Sequence, residues 1–255
     1  MPRAKKSLGQ HFLTDTAARR AIIEAGQLTA QDIVLEVGPG SGFLTAALLE
    51  TGARVIAVEK DDRLIAPLTA RFQNEISEKK LELIHADILD FLEAKSYKLK
   101  ADYKLIANIP YYITGQLLRK FLSSEHQPLL AVLMLQKEVA RRIVAVDGKE
   151  SILSISVKAY GKPRYVRTVP AGAFSPQPKV DSAIMAIENI SKNNFIGLGE
   201  QKFFRLLRQG FSSKRKIFKN NLKLPAEVLV HCQIDPHARA ENLTLKHWTC
   251  LARPR

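Results

Sequence analysis

Residues 33–42 read Ile33-Val34-Leu35-Glu36-Val37-Gly38-Pro39-Gly40-Ser41-Gly42: an apolar run, an acid, then glycines at alternate positions. A buried strand that ends in glycines and runs into a helix leaves backbone N–H groups facing a ligand, and the absent side chains let that ligand lie against the main chain. The dinucleotide fingerprint wants its third glycine one residue later, where helix and strand pack closely beside a pyrophosphate. Phe43 stands there, which weighs against NAD or FAD. A turn built on Gly38, Gly40 and Gly42 and entered through Glu36 suits instead a nucleoside ligand that lacks phosphates and carries a positive charge, such as S-adenosylmethionine.

The strands that follow extend this reading. Val55-Ile56-Ala57-Val58 ends at Glu59, about 20 residues beyond the glycines, where a carboxylate accepts both ribose hydroxyls. Leu81-Glu82-Leu83-Ile84 leads into Ala86-Asp87-Ile88, and Asp87 is the expected acceptor for the adenine amino group of the cofactor. A fourth strand, Tyr103 to Ala107, closes on Asn108-Ile109-Pro110-Tyr111. An exocyclic amine of a base has two N–H donors and a lone pair delocalised into its ring. Two acceptors that hold those donors favour a more tetrahedral nitrogen whose lone pair points at an electrophile. The Asn108 side-chain oxygen and the Ile109 carbonyl are the expected acceptors, Pro110 stiffens the turn, and Tyr111 offers a flat face to a base rotated out of its stack.

Strands that alternate with helices and carry ligands at successive carboxyl ends mark an α/β fold, a Rossmann-like open sheet with helices on both faces. The pattern continues through Leu129–Leu135 and Ile152–Ala159, and a pair of strands, Arg164–Val169 and Ala183–Glu188, is expected to finish the sheet. Between that pair lies Phe174-Ser175-Pro176-Gln177-Pro178, whose prolines stiffen a loop able to present Phe174 at the same edge.

Taken together, these motifs resemble the ribosomal RNA adenine N6-dimethyltransferases of the KsgA/RsmA family. The likeness runs nearly end to end, through Lys6-Ser7-Leu8-Gly9-Gln10-His11-Phe12-Leu13, the glycine turn, Glu59, Ala86-Asp87-Ile88, Asn108 to Tyr111, Gln136-Lys137-Glu138-Val139-Ala140 and Phe174 to Ser182. The resemblance implies an S-adenosylmethionine-dependent enzyme that dimethylates two adjacent adenosines in the 3′-terminal hairpin of 16S rRNA, within an immature small subunit. It implies that His11 and Leu13 border the cofactor with Gly38, Gly40, Glu59, Asp87 and Asn108, and that Phe174 joins Tyr111 around the target base. His11 stands where the family more often has Asn, and Ile109 where it more often has Leu. A large-subunit rRNA adenine methyltransferase of the antibiotic-resistance type would share these motifs, and a ribosome-assembly checkpoint factor with secondary catalysis is a further alternative.

Composition adds a partner. The 255 residues are 46% apolar and carry a formal charge of +14, and basic charge on that scale draws in polyanions through phosphate contacts that weaken as salt rises. From Ser191 onward thirteen Lys or Arg face four Asp or Glu, which leaves nine of the fourteen net charges in that segment. Its apolar residues recur at helical spacing around Phe203–Phe211, and Ser212-Ser213 are expected to cap the stretch Lys214-Arg215-Lys216. We read residues 191–255 as a small basic helical domain that tracks RNA backbone through Arg205, Arg208, Lys214, Arg215, Lys216 and Lys219.

Residues 1–13 form a basic tail, with Arg3, Lys5 and Lys6 as further RNA contacts, ahead of a helix capped by Thr14 or Asp15; residues 14–190 form the methyltransferase domain. The tail is expected to order over cofactor and RNA and so to couple the two. No apolar run of membrane-spanning length and no secretory leader pattern appears, so a cytoplasmic location is expected, with no membrane partner, no metal and a monomeric state. Cys232 and Cys250, without a C-x-x-C pair, are expected to be core thiols rather than a disulfide.

Overall fold

The computed structural model describes residues 4–5, 9–93, 102–108, 113–213 and 216–253. Asp15 opens the first helix, α1 (Thr16–Gly26), by accepting the Ala18 N–H at 2.6 Å; this satisfies a donor that the first turn leaves without an intrahelical partner. A short strand, β1 (Phe12–Leu13), precedes it. The glycine-bearing run then forms β2 (Ile33–Val37), followed by α2 (Phe43–Glu50), β3 (Arg54–Glu59), α3 (Asp62–Arg71) and α4 (Gln73–Ser77). After these come β4 (Leu81–His85), α5 (Ile88–Glu93), β5 (Lys104–Asn108), α6 (Thr114–Ser123) and β6 (Leu130–Gln136).

The central sheet has seven strands in the order β4-β3-β2-β5-β6, then β9 (Ser182–Glu188), then β7 (Lys162–Val169). The first five pair in parallel, and β9 runs antiparallel to β6, with Leu133 opposite Met185. Residues 131–135 and 183–187 are all buried, as expected of strands covered on both faces. The order reverses between β2 and β5: from β2 the chain builds outward to β3 and β4, then returns to lay β5 on the other side. Such a switch point leaves a crevice at the strands' carboxyl ends, and the glycine turn and Asn108 both lie there. The sequence-based assignment to an α/β fold of the Rossmann-like methyltransferase kind holds.

Outside the main sheet, β1 pairs antiparallel with β8 (Phe174–Ser175), placing Leu13 opposite Phe174 and Phe12 opposite Ser175. Thr14 ties the pair down, since both its backbone N–H (2.9 Å) and its hydroxyl (3.0 Å) donate to the Ala173 carbonyl.

The chain divides into two compact units, Met1–Ala140 with Arg164–Ile190, and Arg141–Pro163 with Ser191–Arg255. Thus residues 141–163, which the sequence reading placed with the α/β domain, group with the basic C-terminal segment. After β6 comes α7 (Lys137–Val144), and the next helix, α8 (Ile152–Lys158), is capped by Ser151. Beyond it Tyr160 stacks edge-on against Phe195 at 5.0 Å, and its hydroxyl donates to Glu200 Oε1 at 2.6 Å. This aromatic cluster continues through Phe203 and Phe204 of α9 (Glu200–Gly210).

In the same unit α10 (Phe218–Leu222), α11 (Ala226–His231) and α12 (Leu245–Ala252) follow. Ser212 and Ser213 cap none of these: α10 begins at Phe218 with Ile217 as its cap, and Lys214 and Arg215 lie outside the described residues. The cysteine expectation is also corrected. Cys232 and Cys250 form a disulfide, because the end of α11 and the body of α12 bring their Cα atoms to 5.7 Å, within bonding reach. A spacing of 18 residues carries no sign of that approach.

Trp248, fully buried, packs against Phe211 and Phe218 and reaches the Gly210 backbone. A Cβ at Gly210 would lie 2.4 Å from the Trp248 ring and 2.8 Å from that of Phe218. Replacing a helical glycine by alanine ordinarily gains about 1 kcal/mol. Here overpacking against a ring with no room to retreat costs about 1–3 kcal/mol, so Gly210→Ala is expected to lower the thermal midpoint by a few degrees. Gly115 of α6, where a Cβ meets nothing within 4 Å, gives the opposite sign: Gly115→Ala is expected to hold or raise the midpoint. Calorimetric melts of the two variants side by side check both.

Candidate active site

Adjacent strand ends assemble the site. The Gly38 N–H donates to the Val58 carbonyl at 2.9 Å, which carries the β2–β3 ladder into the glycine turn, and on the other side Val37 pairs with Ala107. The Asn108 carbonyl oxygen consequently lies 3.9 Å from where a Gly38 Cβ would sit. Gly40 has φ +57°, and a side chain there would meet the Phe12 ring at 3.0 Å. Gly42 has φ +74°, and a Cβ would collide with Phe72 at 2.7 Å. Left-handed backbone and near contact together require glycine at both positions. Arg71 adds a brace, donating from Nη1 to the Ser41 carbonyl at 2.8 Å while its guanidinium lies over the Phe72 ring.

Glu59 is buried at the end of β3. Its Oε2 accepts the Gly40 N–H at 3.1 Å and its Oε1 the Asp61 N–H at 2.8 Å. Burial pushes its pKa up, and those backbone donors partly offset the shift. An ionised carboxylate has about four lone-pair sites, so acceptor capacity remains for a diol. Asp87 lies just beyond β4, after Ala86, whose N–H donates to the Glu59 carbonyl at 3.0 Å. Its Oδ1 accepts the Leu89 N–H at 2.9 Å and its Oδ2 pairs with Lys60 Nζ at 2.6 Å. Burial opposes its charge, but the Lys60 and Leu89 donors outweigh that and hold the pKa down. Two carboxylates at neighbouring strand ends, beside a turn without side chains whose own N–H groups are spent on Val58, Glu59 and Pro39, fit the ribose and amino group of an adenosyl ligand.

Asn108 ends β5, and its Nδ2 donates to the His11 carbonyl at 3.3 Å. That bond commits the amide nitrogen and leaves the oxygen as the acceptor, the orientation that clamping an amine requires. His11 Nδ1 lies 2.7 Å from the Pro176 carbonyl oxygen. The structure therefore brings His11, Leu13, Gly38, Gly40, Glu59, Asp87, Asn108 and Phe174 to one region of the first unit. Leu13 and Phe174 are both buried, at 6% and 5% exposure, in the same apolar cluster, so stacking a base on Phe174 requires its ring to be uncovered. Ile109, Pro110 and Tyr111 lie outside the described residues, as do Arg3 and Lys6. Among the other basic candidates, Lys5, Arg205, Arg208 and Lys216 are exposed and Lys219 is half-buried, while Lys214 and Arg215 again fall outside.

The sequence reading missed three side chains here. Asp61 is buried and binds Arg63 through two bonds, Nε at 2.8 Å and Nη2 at 2.6 Å. Gln10 Nε2 reaches the same carboxylate at 2.8 Å. Lys60 occupies the Asp87 carboxylate. Asp61 was detectable as the cap of α3, to which it is bonded through the Arg63 N–H; nothing in the sequence linked it to Gln10.

Glu36, the acid before the turn, is buried at 1% exposure. Its Oε2 accepts the Thr45 hydroxyl at 2.7 Å and its Oε1 has no partner. Burial drives its pKa up to about 8, the Thr45 bond offsetting this slightly and the nearby Glu59 adding to it. Between its ordinary value near 4.5 and about 8 the folded state thus keeps a proton that the unfolded chain releases. Stability consequently falls as pH rises through that window. Glu36→Gln removes the dependence, so the variant's stability relative to the parent is expected to rise by on the order of 2 kcal/mol or more from pH 5 to pH 8, at about 1.4 kcal/mol per pKa unit. Denaturant titrations at both pH values check this; an equal difference at the two would show that Glu36 ionises normally.

A family model described as ribosomal RNA adenine dimethylase matches residues 1–253. A ribosomal RNA small subunit methyltransferase A of Dehalococcoides mccartyi is 42% identical, covering 98% of this chain and 87% of its own. Among solved structures, a dimethyladenosine transferase from Plasmodium falciparum superposes with a TM-score of 0.81 at 31% identity, covering 94% of this chain and 96% of the other. The 23S rRNA methyltransferase ErmE gives 0.77 at 25% identity, with coverage of 94% and 97%.

Proposed function

The chain belongs to the ribosomal RNA adenine dimethylase family, and we propose that it dimethylates N6 of two adjacent adenosines in the 3′-terminal hairpin of 16S rRNA, in an immature small subunit, with S-adenosylmethionine as donor. The observation that carries the chemistry is the Asn108 amide: its nitrogen is held by the His11 carbonyl, and its oxygen is left to accept from an amine.

In this reading S-adenosylmethionine supplies, when bound, a methyl group already activated by a sulfonium. The side-chain-free surface of the glycine turn lies against its nucleoside, and Glu59 accepts from its ribose. Asp87 accepts from its adenine once Lys60 yields the carboxylate. Asn108, with the Ile109 carbonyl, holds the two N–H donors of the target amine and turns its lone pair toward the methyl carbon. Tyr111 and Phe174 border the extruded base. Orientation of this kind supplies several kcal/mol of barrier reduction. No side-chain nucleophile is needed, and the amine proton becomes acidic enough on alkylation to leave late to solvent, so no general base is assigned. The exposed Arg205, Arg208 and Lys216, with Lys219, Lys214, Arg215 and the tail residues Arg3, Lys5 and Lys6, contact phosphates and position the RNA.

The small-subunit target is favoured over the large-subunit one by the 42% identity to a protein named for the small subunit, against 25% for the large-subunit enzyme. The protein acts as a monomer in the cytoplasm, and an assembly-checkpoint role is compatible with the same surfaces.

Asn108→Ala is expected to abolish methyl transfer to immature small subunits, a loss of at least about a thousandfold if the clamp supplies 4 kcal/mol, while cofactor affinity changes little. Mass spectrometry of the rRNA, with calorimetric binding of S-adenosylhomocysteine, checks both; retained turnover would rule out the clamp. Large-subunit rRNA accepting the methyl groups instead would move the assignment to the alternative target.

A further inference from the structure

Gln10 touches none of the reacting groups, yet it lies at the start of a continuous chain of hydrogen bonds. Its Oε1 accepts the Lys5 N–H at 2.7 Å, and its Nε2 donates to Asp61 Oδ2 at 2.8 Å across 51 residues of sequence. The Asp61 side chain is fully buried, and Arg63 also binds both of its oxygens. The Asp61 backbone N–H in turn donates to Glu59 Oε1, whose second oxygen holds the Gly40 N–H. The next residue, His11, gives its carbonyl to the Asn108 amide. Two consecutive residues of one extended segment therefore grip the two halves of the site. One acts through Asp61 on the carboxylate at the end of β3, the other directly on the amide at the end of β5.

We infer that Gln10 is a positioning residue, which latches the segment around β1 onto buried Asp61 and so sets the Glu59 carboxylate and the Asn108 amide in working geometry together. The inference rests on the roles proposed above for Glu59 and Asn108. Gln10 suits the task because an amide both donates and accepts without charge. Asp61 is already satisfied by Arg63, so the Gln10 bond adds tether without being required to neutralise a buried charge.

Full-length Gln10→Glu, Gln10→Leu and Gln10→Arg separate this role from a merely local turn. Glutamate keeps the acceptor for the Lys5 N–H but sets a carboxylate against Asp61, whereas arginine keeps a donor for Asp61 and loses that acceptor. Gln10→Glu is expected to weaken S-adenosylhomocysteine binding about tenfold, to raise the cofactor KM and lower kcat, and to speed hydrogen exchange of amides 10–14, because like charges meet. Gln10→Leu is expected to fall between that variant and the parent, and Gln10→Arg within about threefold of the parent, since a charged donor replaces a neutral one. Thermal midpoints of Gln10→Leu and Gln10→Arg are expected to be unchanged, and that of Gln10→Glu to fall by no more than a few degrees, since its carboxylate meets Asp61.

A Gln10→Glu variant that binds and exchanges like the parent would overturn the assignment. So would Gln10→Arg as impaired as Gln10→Glu, because the bond to Lys5 would then be the one that matters. Parent protein without affinity for S-adenosylhomocysteine would instead defeat the cofactor reading, and hydrogen exchange would still report whether the latch exists.

Discussion

The bond from the Gly40 N–H to the Glu59 carboxylate is the constraint around which the first unit is organised. It joins the turn after β2 to the end of β3, and the turn that presents this N–H has left-handed backbone at Gly40. A non-glycine residue there would pay strain and run into Phe12. From this junction the other relations follow. Glu59 also receives Asp61, Asp61 receives Gln10 and Arg63, and Ala86 hangs from the Glu59 carbonyl, which brings Asp87 alongside.

Electrostatics around the junction divides along burial. Glu36 and Glu59, both inside, are pushed toward the neutral form by desolvation. Asp61, equally inside, is pulled the other way, the Arg63 side chain being the largest influence on it and the Gln10 amide a further one. Asp87, nearer solvent, is also held ionised by donors. The site thus mixes acids of opposite tendency within a few residues. A cationic ligand seated against Glu59 would meet a carboxyl whose ionisation its own charge favours, so binding and proton release are linked there.

Much of this was legible in the sequence because it is written at short range. Alternating glycines after an apolar run, acids closing the next two strands and Asn108 closing a fourth are local patterns, and the parallel sheet converts them into one crevice. The cap of α1 was readable to within one residue, as Thr14 or Asp15, for the same reason. What was not legible joins distant residues: Gln10 with Asp61, Leu13 with Phe174, Cys232 with Cys250, and residues 141–163 with the C-terminal helices. Phe174 is a case in point: its pairing with β1 sets its side chain beside Leu13 in the apolar cluster, a placement that its proline-rich loop does not announce. In α8, Ile152–Lys158 is apolar without settling between strand and helix; Ser151 and Ser154 at its start decide for helix.

The pairing of β1 with β8 bears on how the protein is made. Phe12 waits for Ser175 and His11 for Pro176, partners 165 residues apart in the latter case. Chains emerge from the ribosome at about 5–20 residues per second, so the segment that completes the ligand cradle is synthesised first yet stays without its partner for on the order of ten seconds. A nascent chain released from the ribosome before residue 176 would carry the glycine turn and both strand-end acids but could not close the strap over them.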